Sequence, residues 1–204
     1  KNYMITVQSA DSMMLSDLAE EEDILATSIP NPIERFFTFL TLEVRDTEVD
    51  KAMLEMRITL AKEDKIKGTG RSAALAKKDK SEKSAIHDNF IEVCRSLSDD
   101  LAKSAKTLCE TKYYKNTQFD VGSRIAFIDE LNLNNSNFPD YLIFTLNKLN
   151  VILSESLGIN LRLAVLAKDN IHCPFDKNIN KVLNQADLVT THQKGFYIKT
   201  YRAE

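Results

Sequence analysis

Between Tyr141 and Leu157, apolar side chains fall all round the helical wheel: Leu142, Ile143, Phe144, Leu146, Leu149, Val151, Ile152, Leu153 and Leu157. A helix at a protein surface shows a single apolar stripe, so one of this kind has to be covered on most sides. The rest of the chain must therefore fold around it. The segment from 140 to 157 is predicted to be the central helix, with Gly158 as its stop.

A second segment repeats at helical spacing. Ile86, Phe90, Val93, Cys94, Leu97, Leu101, Ala105 and Leu108 advance by about 100° per residue, while Asp88, Glu92, Arg95, Asp99, Lys103 and Lys106 fall opposite. The spacing predicts one amphipathic rod over 84–109, about seven turns long, facing the core or a long partner helix. A shorter helix is expected from Thr47, with Asp50 completing a capping-box-like start and Val49, Met53, Met56 and Leu60 recurring along it until Gly68. Asp11 or Ser12 opens another helix, which Pro30 and Pro32 end.

Strands are expected at "KNYMITVQ", at 34–44, whose aromatic and β-branched content favours strand over helix, and at "INLRLAVLAK". "SRIAFIDELNL" after Gly122 reads as a short helix or strand, and "KYYKNTQF" as a strand or an irregular connection. "DKNINKVLNQAD" reads as a short helix, and "LVTTHQKGFYIKTYRAE" as a hairpin turning at 193–195. Together these predict an α+β or α/β protein: one domain over 1–204, a mixed sheet of about four to six strands packed on the two long helices, and a flexible basic connection over 65–83.

Composition excludes little. The 204 residues are 43% hydrophobic and 28% charged with net charge −3, so any anion site must be local. No apolar run approaches the roughly 18 residues of a membrane span, and no leader pattern opens the chain. Cys94, Cys109 and Cys173 are sparse and odd in number. Cysteines used this way suit a reducing, cytoplasmic setting.

The richest local patch is "KGTGRSAALAKKDKSEK". Gly68 and Gly70 can expose consecutive backbone N–H groups to a phosphate, Arg71 can add a bidentate fork, Ser72 can cap the following helix, and Lys77 and Lys78 add charge. From Lys62 to Lys83 there are eight Lys or Arg against four Asp or Glu. The pattern departs from a full phosphate loop, since Lys65 stands where the first glycine belongs and Arg71 replaces the lysine. A solvated hinge between two helices is the favoured reading of this stretch.

The tail offers a second site. A short helix followed by a hairpin resembles the order of recognition helix and wing in winged-helix folds, and Lys181, Lys194, Lys199 and Arg202 would then meet nucleic-acid phosphates, with His192 or Gln193 at the tip. The same elements serve as well to close a mixed sheet. His172, Cys173, Asp176 and His192 fall short of a zinc set, for neither Cys-x-x-Cys nor His-x₃-His spacing occurs. No Gly-x-Ser-x-Gly elbow is present, His87–Asp88 reads as a surface pair, and Asp99–Asp100 and Asp46–Glu48 read as helix-end and surface charges. No catalytic residue, metal or cofactor is assigned. The expected function is a non-catalytic intracellular module that binds a protein partner or a second copy, with a phosphate-bearing ligand at the basic loop. The alternatives are a nucleic-acid-binding regulator and a nucleotide sensor or enzyme.

Overall fold

The computed structural model describes residues 3–9, 36–62, 90–116, 122–175 and 178–202. One mixed sheet of eight strands runs through them: β1 (Tyr3–Ser9), β2 (Phe37–Asp46), β3 (Lys51–Ala61), β4 (Ser123–Leu133), β5 (Asn160–Ala167), β6 (Ile171–His172), β7 (Val189–Thr190) and β8 (Phe196–Thr200). The order across the sheet is β1-β2-β3-β4-β5-β8-β7, with β6 beside the end of β4. Strands β5 and β6 run parallel to β4, and every other pairing is antiparallel. Four α-helices are described at both ends, α1 (Asp99–Glu110), α2 (Lys112–Asn116), α3 (Phe138–Leu157) and α4 (Ile179–Gln185), with a 3-10 turn at Lys168–Asn170 and a further helical stretch over 90–95. The architecture is α+β in outline, with a larger sheet and shorter helices than the sequence suggests.

Period-two alternation divides the core. On one face Leu54, Met56, Ile58 and Leu60 of β3, with Ala126 and Ile128 of β4, pack against Leu142, Leu146, Leu149 and Leu153 of α3. On the other, Ile125 and Phe127 of β4 and Leu163 and Val165 of β5 meet Phe90, Cys94, Leu101, Ala105 and Leu108. Strand β4 is thus apolar on both sides, as an inner strand covered by two layers has to be.

Three expectations are corrected. The segment predicted as a helix from Thr47 is the hairpin turn 47–50 followed by strand β3. Met53, Met56 and Leu60 do recur at helical spacing, but the stronger pattern is the alternation of Leu54, Met56, Ile58 and Leu60 with Glu55, Arg57 and Thr59. Asp50 caps no helix; it takes a left-handed φ of 49° in the turn. The rod over 84–109 is broken. Residues 90–95 are helical, the chain leaves the helix at 96–98, and Ser98 restarts it as N-cap of α1, its Oγ accepting from Leu101 N–H at 3.0 Å. Both pieces lie on the same sheet face, so one stripe continues across the break and conceals it. Finally, 112–116 is helical, where a strand or irregular connection was expected.

The helix expected over 140–157 spans Phe138–Leu157 and stops at Gly158, whose φ of 65° is left-handed. The N–H of Ile159 returns to Leu153 O at 3.2 Å and that of Gly158 to Ser154 O at 2.9 Å. Its outer side remains partly open: Phe144 is 54% exposed. The hairpin at the tail forms as expected, but β8 pairs with β5, inside the sheet. The predicted helix at 11–29 and the basic connection 65–83 lie outside the described residues.

Cys94 and Cys109 form no disulfide and are buried among the α1-side core. Burial pushes the Cys94 thiol up to about 12, with Cys109 adding to the rise, so this sulfur is packing material. No described helix is long and apolar enough to cross a membrane.

Leu149→Ala, at a fully buried position, is expected to lower unfolding free energy by about 2–5 kcal/mol in a denaturant melt. Ser98→Ala should cost about 1 kcal/mol by leaving the first turn of α1 without its cap.

Candidate functional site

Strand β4 is interrupted on both flanks at one place. Toward β3, Arg57 faces Glu130 and the next residue, Ile58, faces Ile128, so Asp129 is the extra residue of a β-bulge. Toward the other side, β5 pairs with β4 as far as Ile128↔Leu166, and β6 takes over only at Leu131↔Ile171. The 3-10 turn Lys168–Asn170 carries the chain around the gap. Asn170 reaches back across it, its Nδ2 donating to the Ile128 carbonyl at 3.3 Å. Such irregularities gather at working sites. Asp129 shares the parity of Ile125 and Phe127 and so faces the α1 side of the sheet, and the bulge leaves it without an opposite residue on β3.

In front of Asp129 lies a cleft of about 400 Å³. Its floor is Thr59, Phe127 and Asp129 with Val165 and Ala167 of β5. Its rim is Phe39 of β2, Asn170 of the 3-10 turn, and Leu97, Ser98, Asp100, Leu101 and Ser104 from the restart of α1. The break in the predicted rod therefore has a structural consequence: it places a helix start, with its cap and first-turn carboxylate, over the sheet. The cleft lies over the α1 side of the sheet where the pairing of β4 with β5 stops at Ile128↔Leu166, while β4 itself runs on to Leu133.

The Asp129 carboxyl accepts a short hydrogen bond from the Thr59 hydroxyl. Enclosure by surrounding protein pushes the carboxyl up to about 6, and the Thr59 bond opposes that rise. The residue is nonetheless exposed, and water screens the carboxylate there. The nearest cation on β3 is already engaged: Arg57 Nη1 lies 3.3 Å from Glu130 Oε2. Glu130 is held below the ordinary carboxylate range, first by the Asn132 amide at 2.8 Å and then by Arg57. Two adjacent acids on one strand thus have opposite characters.

The residues singled out in the sequence lie elsewhere. Gly68, Gly70, Arg71, Ser72, Lys77 and Lys78 fall outside the described residues, as do His87, Asp88 and Asp176. Lys181, Lys194 and Arg202 are exposed. Lys199 is not on that surface, which corrects its place in a phosphate-facing set. It is 6% exposed, and its ammonium donates to Asn147 Oδ1 at 2.8 Å and to the Ala186 carbonyl at 2.7 Å. Burial lowers its pKa. With β8 inside the sheet, the hairpin is no projecting wing. His192 bonds Glu110 of α1 at 2.7 Å, His172 lies on β6, and Cys173 follows it, half-buried. Asp46 Oδ1 accepts from Glu48 N–H at 2.9 Å, a turn role.

Sequence reasoning missed Asp129, Thr59 and Asn170, and it dismissed Asp100 as a helix-end charge. One signal was present. "SRIAFIDELNL" is an apolar run broken by adjacent acids, and a charge inside an inner strand calls for a compensating feature. Comparison of the chain with protein-family models, with curated proteins and with solved structures returns no significant match.

Because Asp129 ionises with more difficulty in the folded chain than at the ordinary value near ~4, the folded state holds the extra proton between about pH 4 and about pH 6. Its contribution to stability accordingly declines as pH rises through that window. Denaturant melts of the wild type and Asp129→Asn across pH 3.5–7 should differ by this slope, and a carbon-detected titration of the carboxyl should show a midpoint well above ~4. Thr59→Val should move the midpoint higher still, since the hydroxyl favours the charged form.

Proposed function

We propose that this chain is a binding module that holds a small molecule in the cleft beside Asp129. The observation that carries the reading is the double interruption of β4. An inner strand gives up ladder hydrogen bonds on both flanks at one residue, and that residue faces the 400 Å³ cavity. Such a volume lies within the range of small-molecule sites, and the mix of apolar walls with a few convergent polar groups is their usual lining.

The reading is of binding rather than turnover. Among the described lining residues the ionisable groups are Asp129 and Asp100, and no His, Lys, Cys or Tyr stands with them. Covalent catalysis needs a base set beside an accessible nucleophile. The Thr59 hydroxyl is buried and serves to orient the carboxylate. Cys94 and Cys109, buried and outside any disulfide, support a reducing cellular setting.

Association with a second copy is a further reading, and β1 favours it. That strand pairs with β2 alone among the described strands, and Tyr3 and Met4 on it are exposed. An edge of this kind is a template for another chain.

Ser104 is half-buried on the rim of the cleft, so Ser104→Phe would fill it. A fragment screen by amide-resolved NMR should give compounds that shift Ile128, Asp129 and Asn170 in the wild type and fail to shift them in the variant. Compounds that bind both proteins alike, or a screen whose shifts all lie away from these residues, would overturn the assignment of the cleft.

A further inference from the structure

The polar lining of the cleft is unbalanced between donors and acceptors. The Asn170 amide nitrogen is committed to the Ile128 carbonyl, which can only accept, and this fixes the orientation of the amide. Its Oδ1 and the second hydrogen of its Nδ2 are left with capacity to spare. The Thr59 hydroxyl spends its single hydrogen on Asp129, leaving one oxygen of that carboxylate to other donors. Asp100 adds a second acceptor-only group from the first turn of α1. Among the described lining residues, the side-chain hydrogens still to be donated are those of Ser98 and Ser104 and the second amide hydrogen of Asn170, and no lysine, arginine or histidine faces the space.

This lining disfavours an anion. A phosphate or carboxylate in the cleft would meet Asp129 and Asp100 and find no cation among the described residues. A divalent metal ion is poorly matched as well. No three His, Cys, Asp or Glu side chains among the described residues stand close enough to hold one, and hard cations take six or more oxygen ligands. What remains is a group rich in N–H. The apolar part of the lining adds a second requirement, because Phe39 and Phe127 are aromatic and Leu97, Leu101, Val165 and Ala167 are aliphatic.

Resting on the cleft being the ligand site, we infer that its occupant is an organic cation: an ammonium or amidinium group carried on an apolar, preferably aromatic, body. The charged end lies at Asp129 and Asn170, with Asp100 across the mouth. The body lies along Phe39 and Phe127, where rings pack well against rings and a cation is also favoured near an aromatic face. The Asp129 carboxylate accounts for the preference, since among the described residues no cationic side chain pairs with it.

The test uses matched pairs that differ in charge alone. Benzamidine against benzamide, and phenethylamine against 2-phenylethanol, are titrated into the full chain at pH 7.5 and followed through the amide shifts of Ile128, Asp129 and Asn170. The cations are expected to bind at least about tenfold more tightly than their neutral partners, a difference of about 1.4 kcal/mol. Asp129→Asn, which keeps shape and fold, should erase that difference while leaving the neutral compounds unchanged. Equal binding of cation and neutral partner overturns the charge inference and leaves the cleft as the ligand site. Shifts at these amides with ATP, inorganic phosphate or magnesium alone, and none with the amines, overturn it in favour of an anion or metal. If no probe moves these amides, the cleft reading falls with it.

Discussion

The hydrogen-bonded ladder of β4 is the constraint on which the molecule depends. This strand joins an antiparallel meander, β1 to β4, to a parallel partner reached through α3. It is covered on both faces, so its backbone groups have no water to turn to and must be paired within the protein. Where pairing fails, around Asp129, the protein compensates locally. Glu130 regains a partner in Arg57 on β3, and the Asn170 side chain supplies a donor to the Ile128 carbonyl. The gap is thereby closed electrostatically and left open sterically, which is the combination a ligand site needs.

Much of the fold was legible because its signals are local. The hairpin with Gly195 at a φ of 82°, the inner strand after Gly158, the short helix at 179–185 and the left-handed stop of α3 each follow from a few adjacent residues. The failures share one cause. Helical and strand periods coincide over short stretches: Met53, Met56 and Leu60 satisfy the first, while Leu54, Met56, Ile58 and Leu60 satisfy the second. Which one wins is decided by what lies alongside, and here β2 and β4 flank the segment. The broken rod at Ser98 is the complementary case. Two helices resting on one sheet keep a common apolar side, so hydrophobic spacing passes through the break, and only the Ser-Asp-Asp start marks it.

The cleft was illegible for a different reason. Phe39, Thr59, Asp100, Asp129 and Asn170 come from five separate parts of the chain, and none stands in a recognisable local motif. A bulge is a property of a pair of strands, and register between strands is not written in either one alone. Glycine and lysine attracted attention in the sequence because they are visible singly, yet Lys199 proved to be an internal strut between α3 and the end of α4. Lys199 and Asp129 show two treatments of charge. The lysine is enclosed and given protein acceptors; the aspartate stays exposed and is given a single hydroxyl.

The dispersal of the cleft walls also bears on when they exist during synthesis. The meander can assemble as soon as Leu133 is available, because its neighbours in space are neighbours in chain order apart from the long excursion before β4. The floor and rim remain incomplete until α3 has crossed and β5 and the following 3-10 turn have docked. A ribosome-bound chain that ends before Asn170 carries the Asp129 carboxylate but lacks the amide that spans the gap. Occupancy of the cleft would therefore mark a finished molecule, and a truncated one would be blind to its ligand.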